Sequence, residues 1–234
     1  MKAFLLAAGL GTRLAPITDS TPKCLLRIGN RTLLDIWLDT LAAAGVDEVL
    51  LNTHHLAALV REHVAARHGG PAVRLVYEPA LLGSAGTLVA NRDFVEGEDM
   101  FLAVNADNLT DFDVDLLVKE HRGRDAIATL TLFHAPDPRA CGIVEVAGDG
   151  RMTGFVEKPA DPPGDLANAG VYAFSPAVLD LVEEPLPRDI GFDLLPELVG
   201  RANTVDMGGA YFIDIGTPAA LTRARDEWQD RATP

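Results

Sequence analysis

The chain has 234 residues, 48% of them hydrophobic and 23% charged, which is the composition of a folded globular protein of one domain, residues 1–234. The net charge of −14 argues against nucleic acid as a partner, and no apolar run reaches the roughly 18 residues that a membrane span needs. The start of the chain does not follow a signal-peptide pattern, and two cysteines, Cys24 and Cys141, are too few for a disulfide framework. We therefore expect a cytoplasmic protein with no membrane partner.

The first 31 residues are rich in positive charge, with five basic side chains and one acidic one. A short apolar run, Ala3–Ala8, predicts a buried strand. It leads into Gly9–Arg13, where glycines allow backbone N–H groups to approach an anion, and Lys23 follows ten residues after Arg13. An electropositive, glycine-rich loop on an acidic protein suits capture of a small polyanion, which favours a phosphate site over a solvated basic face.

Two common phosphate-binding motifs do not fit this segment. In the dinucleotide fingerprint G-x-G-x-x-G the third glycine would fall at Leu14, and the Gly-Lys-Ser/Thr of a Walker A loop is absent. A dinucleotide-dependent oxidoreductase is therefore disfavoured, and the loop must belong to another class of phosphate-binding protein.

The first half of the chain alternates strand-like and helix-like segments. After the N-terminal strand, the patterns predict a helix at 32–44, a strand at 46–53, a helix at 56–67, and strands at 73–77 and 100–104. This alternation implies a parallel sheet with right-handed crossovers, whose ligands bind beyond the carboxyl ends of the strands. That rule places the Gly9–Arg13 loop, Asn52, Glu78 and Asp107 on one rim of the sheet.

Candidate metal ligands follow two of these strands. His54 and His55 are adjacent, and neighbouring side chains on an extended segment point to opposite sides, so a shared ion is disfavoured. Asp107 follows an apolar strand, where an aspartate either caps the next turn or binds a cation. An acidic helix start explains three further aspartates equally well: Asp111, Asp113 and Asp115.

The second half of the chain has a different pattern of predicted elements, with several strands in succession. Strands predicted at 126–133, 142–146, 151–157 and 169–174 are separated by short turns and look like antiparallel additions to the sheet. The segment at 78–86 is predicted to lead into a helix through Val89 and Phe94, and further helices are predicted at 176–182, 192–200 and 218–228. Thr217 and Pro218 suit the N-cap and first residue of the last helix.

Short segments along nearly the whole chain, in the right order, resemble the signature of the sugar-1-phosphate nucleotidyltransferases. The departures include Cys24 and Cys141, which replace a usual proline and tyrosine, and Ser84, which replaces a usual threonine. The matching segments are GLGTRL at 9–14, PIT at 16–18, TPKC at 21–24, LGSAG at 82–86, AD at 106–107, CG at 141–142, EKP at 157–159, NAG at 168–170 and YFIDIGTP at 211–218.

The resemblance implies a Rossmann-like α/β fold, with a mostly parallel sheet flanked by helices and antiparallel strands added in the second half, as in the nucleotide-diphospho-sugar transferases. Members join a nucleoside triphosphate and a sugar-1-phosphate, with Mg²⁺, into an NDP-sugar and pyrophosphate. Residues 1–110 would form the nucleotide- and metal-binding half, and residues 111–234 the sugar-phosphate-binding half.

The family roles carry over residue by residue. Arg13 would bind the β- and γ-phosphates, Lys23 would stabilise the α-phosphate, and Asp107 and Asp214 would hold the metal ion. The expected nucleotide contacts are Ala8, Gly9, Gly11, Thr12, Glu78, Gly83 and Ser84. The expected sugar-phosphate contacts are Gly142, Glu157, Lys158 and Asn168.

Looser likeness in residues 21–31 and 157–170 favours the branch that uses GTP with mannose- or heptose-1-phosphate. A uridylyltransferase acting on an amino-sugar phosphate is the nearest alternative. A non-catalytic nucleotide-sugar sensor is an alternative of another class, which loss of Arg13, Lys23 or a metal aspartate would indicate, and none is lost. We expect no acetyltransferase extension, and a homodimer is left open.

Overall fold

A computed structural model gives the structure of the protein and describes residues 1–228. The described chain forms two compact units that alternate along the sequence. Unit 1 contains Met1–Leu81, Val104–Val114 and residues 210–228, and unit 2 contains Leu82–Ala103 and Asp115–Gly209. Asp214 therefore lies in unit 1 with Asp107, and Gly83 lies in unit 2.

The fold is mixed α/β, with parallel strands, antiparallel strands and flanking helices. The strands are β1 (Lys2–Leu6), β2 (Arg27–Ile28), β3 (Arg31–Thr32), β4 (Glu48–Thr53), β5 (Ala72–Tyr77), β6 (Phe101–Asn105), β7 (Asn108–Thr110), β8 (Ala128–His134), β9 (Gly142–Val146), β10 (Met152–Glu157), β11 (Leu166–Phe174), β12 (Ala202–Asp206) and β13 (Phe212–Asp214). The helices are α1 (Leu33–Ala43), α2 (Ala57–Ala66), α3 (Ser84–Ala90), α4 (Val114–Arg122) and α5 (Pro218–Glu227). Within residues 1–228, no helix combines the length and apolar character needed to cross a membrane.

Unit 1 contains three of the predicted parallel strands. β1 pairs with β4 and β4 with β5, both parallel and in unbroken register, and α1 and α2 provide the crossovers. Phe4 and Leu5 on β1 are fully buried, as the apolar run predicts. Thr32 caps α1, because its side chain accepts a hydrogen bond from the backbone N–H of Asp35.

A second, two-stranded ladder in unit 1 was not apparent from the sequence. β7 and β13 are three residues each and pair antiparallel, with Asn108 opposite Asp214. The backbone N–H of Ile215 continues the pairing by donating to the Asp107 carbonyl at 3.0 Å. Strands this short give no clear alternation of polar and apolar residues, yet this ladder brings the two predicted metal ligands together.

Unit 2 contains the predicted antiparallel strands, with β8 paired to β11 and β9 paired to β10. β12 was not predicted, and it pairs with β8 in parallel, so the second half of the chain is not purely antiparallel. The register of β11 shifts between Asn168 and Tyr172. Gly170 lies inside that bulge with a φ of 72°, a conformation that favours glycine.

Three predicted helices differ from the structure. α3 ends at Ala90, and Phe94 belongs to a separate 3₁₀ turn, Arg92–Val95. The Asn91 side chain donates a hydrogen bond to the Thr87 carbonyl where the helix ends. The segment predicted at 176–182 is a 3₁₀ helix, Pro176–Leu181. The segment predicted at 192–200 is a π-helical turn, Ile190–Leu194, followed by a 3₁₀ turn that includes Pro196, which has no N–H to continue an α-helix. The prediction for α5 is confirmed, since Thr217 accepts from Ala220 N and Pro218 is the first residue.

Candidate active site

The glycine-rich loop of unit 1 follows β1 and exposes its backbone. The backbone N–H of Ala7 donates to the Asn52 side chain at 2.7 Å, which fixes the start of the loop. Gly11 has a φ of 65°, and its carbonyl accepts a hydrogen bond from the Thr18 hydroxyl at 2.9 Å. Among the described residues, none accepts a hydrogen bond from the backbone N–H groups of the exposed loop at 9–11. These donors are therefore free to bind an anion.

Lys23 lies between the two aspartates of unit 1. Its Nζ is 2.6 Å from Asp107 Oδ2 and 3.6 Å from Asp214 Oδ1, and the lysine side chain is only 11% exposed. Partial burial and the neighbouring Asp107 carboxylate raise the pKa of Asp214, while the Lys23 and Arg13 cations oppose the rise. The two carboxylates are thus close enough to repel one another, and Lys23 offsets that repulsion.

Local structure explains how these side chains meet. Lys23 begins a 3₁₀ turn directly after Pro22, Asp107 follows β6, and Asp214 ends β13. Arg13 passes close to Gly216. A Cβ on that glycine would lie 2.8 Å from an Arg13 guanidinium nitrogen. A side chain at residue 216 would therefore displace the arginine.

The donor set of this cluster suits a hard divalent cation. Asp107 and Asp214 offer carboxylate oxygens, the ligands that Mg²⁺ prefers, and Mg²⁺ is commonly held by one or two protein carboxylates with the rest of its ligands from water and phosphate. Across residues 1–228, no group of three or more His, Cys, Asp or Glu side chains is arranged to hold a metal ion. The pair fits an ion that the substrate helps to coordinate.

Glu78 and the two histidines are engaged in bonds within unit 1. Glu78 is 2% exposed, and its Oε1 accepts a hydrogen bond from Asn52 Nδ2 at 2.9 Å. His54 Nδ1 lies 2.7 Å from the Glu78 carbonyl, whereas His55 Nε2 lies 3.0 Å from the Thr18 carbonyl. The two histidines thus contact different backbone carbonyls. For Glu78 to contact the base as predicted, its carboxylate would have to leave Asn52 or accept further hydrogen bonds.

The Glu157-Lys158 pair lies at the end of β10 in unit 2. Lys158 N donates to the Cys141 carbonyl at 3.0 Å, and the lysine has a φ of 48°, which is uncommon for a residue with a Cβ. Its Nζ is 3.6 Å from Glu157 Oε1 and 5.6 Å from the centroid of the Phe192 ring. The ammonium therefore stays on the surface beside a carboxylate and an aromatic face.

Two glycines make room for the Glu157 carboxylate. A Cβ on Gly142 would lie 2.5 Å from Glu157 Oε2, and one on Gly191 would lie 2.7 Å from it. Burial raises the pKa of Glu157, the Lys158 charge lowers it, and the Asp189 charge raises it. Gly142, which the resemblance assigns to the same substrate as Glu157, thus lies beside that carboxylate, whereas Gly191 was not singled out from the sequence.

The segment around Asp189 is the main feature that the sequence did not reveal. The Asp189 carboxylate accepts hydrogen bonds from Gly191 N and from the Ser84 hydroxyl, each at 2.8 Å, and the Ser84 oxygen accepts from Ile190 N at 2.7 Å. A Cβ on Gly83 would lie 2.2 Å from the Arg188 carbonyl oxygen. Gly83 and Ser84, predicted to contact the nucleotide, thus fix residues 188–191 in this structure. The local sequence signal for this segment is Asp189 two residues before Gly191, which fits the N-cap of a helical turn.

Asn168 lies at the bulge of β11. Its Nδ2 donates to the Tyr172 hydroxyl at 2.7 Å, and its Oδ1 accepts from Gly170 N at 3.1 Å. These bonds fix the orientation of the amide, and its predicted contact with sugar hydroxyls stays a prediction.

The architecture is that of the nucleotide-diphospho-sugar transferase fold. A crystal structure from Bacillus anthracis, provisionally described as a glucose-1-phosphate thymidylyltransferase and solved with sucrose, aligns with a TM-score of 0.87 at 24% identity, covering 100% of this chain and 97% of that one. At that identity the likeness shows the fold.

The family is shown by the sequence. Residues 2–231 match the family model described as Nucleotidyl transferase, so the chain belongs to that family. Its members use a nucleoside triphosphate and a sugar-1-phosphate, generally with a divalent metal ion. The resemblance drawn from the sequence motifs is thereby confirmed at the level of the family.

Curated relatives extend beyond the region that this chain matches. The mannose-1-phosphate guanylyltransferase catalytic subunit beta of Danio rerio is 32% identical over 224 residues, which cover 93% of this chain and 62% of the relative. The glucose-1-phosphate thymidylyltransferase of Streptomyces griseus is 35% identical over 234 residues, which cover 98% of this chain and 62% of the relative. The chain thus spans about three fifths of the length of these relatives.

Proposed function

We propose that this protein transfers a nucleotidyl group from a nucleoside triphosphate to a sugar-1-phosphate, forming an NDP-sugar and pyrophosphate. The observation that carries the proposal is the cluster of Lys23, Asp107 and Asp214 in the same unit as the exposed Gly9–Arg13 loop. A cationic side chain, two carboxylates and free backbone donors are what a metal-assisted reaction at a triphosphate requires.

In unit 1, the loop and its cations would bind the triphosphate. The N–H groups of Gly9 and Gly11 would donate to phosphate oxygens, and the forked guanidinium of Arg13 would bind the β- and γ-phosphates that leave as pyrophosphate. Lys23 would stabilise charge at the α-phosphate. Asp107 and Asp214 would hold the divalent ion, proposed to be Mg²⁺, which supplies charge neutralisation and alignment of the reacting phosphates when bound.

In unit 2, Lys158 would bind the phosphate of the sugar substrate, and Glu157 and Asn168 would bind sugar hydroxyls. The exposed ammonium of Lys158 suits a phosphate, and the Glu157 carboxylate is held in place by the space that Gly142 leaves. The attacking group is already an oxyanion, so no general base is needed. The rate would come from positioning and electrostatic stabilisation.

The proposed triphosphate is GTP, with a mannose- or heptose-type 1-phosphate. The guanylyltransferase relative supports this choice, and the thymidylyltransferase relative supports dTTP with glucose-1-phosphate as a second candidate. These relatives favour either pair over the uridylyltransferase alternative. The intact cluster of Lys23, Asp107 and Asp214 argues against a protein that only senses nucleotide sugars.

A matrix of the four ribonucleoside triphosphates and dTTP against a panel of sugar-1-phosphates, read by pyrophosphate release, tests the proposal. We expect turnover with Mg²⁺ and the highest kcat/KM with GTP. A higher value with dTTP would overturn the choice of base and keep the reaction class, whereas release of no pyrophosphate with any pair would overturn the reaction class. We also propose a cytoplasmic location, which fractionation of the source cells would test, and a homodimer, whose mass light scattering on the purified protein would measure.

A further inference from the structure

The side chain of Lys23 occupies the place where a divalent cation is expected. Its Nζ lies within ion-pair distance of both Asp107, which lies between β6 and β7, and Asp214, which ends β13. The lysine is 11% exposed, whereas the carboxylates are 39% and 51% exposed. An ion arriving from solvent therefore meets carboxylates whose charge Lys23 already offsets.

We propose that Lys23 and the divalent cation compete for Asp107 and Asp214. In the metal-free protein the lysine holds the two carboxylates together, and when the cation binds, the ammonium moves to the phosphates of the substrate. This inference rests on the proposed metal-binding role of the two aspartates, and it adds that the residue serving the phosphates opposes binding of the metal alone.

Coulomb's law gives the sign of the effect. A unit positive charge within a few ångströms of a divalent ion repels it, and this repulsion is stronger at a partly buried site than in bulk water. The ion must also replace the hydrogen bond of 2.6 Å between Lys23 and Asp107. A bound triphosphate removes this competition, because its negative charge attracts both the lysine and the metal ion. The flexible stem of lysine permits such a change of partner.

The test measures binding of Mn²⁺ alone to the free protein, by the electron paramagnetic resonance signal of unbound Mn²⁺. We expect Lys23→Met to bind Mn²⁺ at least about tenfold more tightly than wild type, because the competing charge is gone. Lys23→Arg keeps the charge and should remain near wild type. The matched control is Lys119→Met, since Lys119 forms a surface ion pair with Asp115 in unit 2 and its loss makes the same change in net charge.

Equal or weaker binding of Mn²⁺ by Lys23→Met would overturn the proposal, and so would Lys23→Arg binding as tightly as Lys23→Met. Lys23→Gln serves as the second neutral variant if the methionine variant does not fold. In the presence of a non-hydrolysable GTP analogue the order should reverse, with Lys23→Met binding the Mn²⁺–nucleotide complex more weakly than wild type.

The experiment separates this inference from the proposed function. If metal binding follows the predicted order but no sugar-1-phosphate gives pyrophosphate, the competition stands and the reaction class fails. If the enzyme turns over but Asp107→Asn leaves the Mn²⁺ affinity of Lys23→Met unchanged, the competition is refuted although the reaction class stands.

Discussion

The two units each contain a lysine beside a carboxylate, but the exposure of the partners is reversed. In unit 1, Lys23 is 11% exposed and its partner Asp107 is 39% exposed. In unit 2, Lys158 is 56% exposed and its partner Glu157 is 15% exposed. The more exposed member of each pair is the one that a ligand from solvent meets first, so unit 1 presents carboxylates and unit 2 presents an ammonium.

This reversal explains why similar residues suit different ligands. An exposed pair of carboxylates supported by a buried cation suits a metal ion that arrives with a polyphosphate, because the bound phosphates also need the lysine. An exposed ammonium supported by a half-buried carboxylate suits a single phosphate group, because the carboxylate then remains available to hydroxyl donors. Substitutions in each unit should therefore affect one ligand and not the other, and the largest effect is expected in unit 1.

Removing a carboxylate of unit 1 should have the largest effect. We expect Asp107→Asn to lower kcat by about a thousandfold, comparable with the loss of a key charge-stabilising group. The melting temperature should change little, since the amide can still accept a hydrogen bond from Lys23. Pyrophosphate release and thermal unfolding measure the two quantities.

The matched control is Asp19→Asn, an exposed aspartate of the same unit, which should leave kcat unchanged. Full turnover of the wild-type enzyme in excess EDTA would contradict the metal role, and with it the function assigned to the exposed carboxylates of unit 1.

Removing the ammonium of unit 2 should affect only the sugar substrate. Lys158→Ala takes away a charge-assisted hydrogen bond to the sugar phosphate, an interaction worth about 1.5–3 kcal/mol. We therefore expect kcat/KM for the sugar phosphate to fall roughly ten- to a hundredfold. Affinity for the Mg²⁺–triphosphate complex, measured by calorimetry, should stay near the wild-type value.

Lys119→Ala is the control for this prediction, because Lys119 also belongs to unit 2 and pairs with an aspartate on the surface. If Lys158→Ala instead loses triphosphate affinity and saturates normally with the sugar phosphate, the two units are assigned to the wrong substrates.

Alanine at a glycine beside each charged cluster should give opposite kinetic patterns. Gly142→Ala places a Cβ 2.5 Å from Glu157 Oε2 and should raise KM for the sugar phosphate about tenfold, within the 1–3 kcal/mol typical of overpacking. Gly216→Ala places one 2.8 Å from Arg13 and should raise KM for the triphosphate instead. Gly148→Ala is the control, since no atom lies within 4 Å of its Cβ position. An equal rise of both KM values in either variant would argue against separate sites.

Much of this arrangement could be predicted from local sequence. The parallel strands β1, β4 and β5 were predicted from the alternation of strand-like and helix-like segments, although β1 and β4 are mostly buried and β5 is not. Asp107 was placed on the same rim as the Gly9–Arg13 loop by the rule that ligands bind beyond the carboxyl ends of such strands, but its ion pair with Lys23 was not predicted. Both predictions depend on patterns that repeat over several residues.

The parts that were missed depend on contacts between distant segments. The β7–β13 ladder consists of two three-residue strands about a hundred residues apart, which carry no periodic signal. Asp189 contacts Ser84 across 105 residues, and nothing near either residue indicates the other. Ser84 was therefore predicted as a nucleotide contact, whereas its hydroxyl bonds to Asp189 and Ile190 show a structural use that local sequence cannot reveal.

The smallest effect predicted concerns Glu157, the half-buried carboxylate of unit 2. Burial is the main cause that raises the pKa of Glu157 in the folded protein above its ordinary value. The folded state then holds a proton more firmly than the unfolded state, so this residue's contribution to stability is full below the ordinary pKa and is lost as the pH rises through the raised one. Glu157→Gln lacks the titrating carboxyl, so it does not lose stability in this way as the pH rises. The melting temperature of the variant minus that of wild type should therefore increase from pH 4 to pH 8. Glu145→Gln, at an exposed position on β9, should show no such trend. A difference that is constant with pH would mean that Glu157 is solvated, and the reversal of exposure between the two units would lose its physical basis.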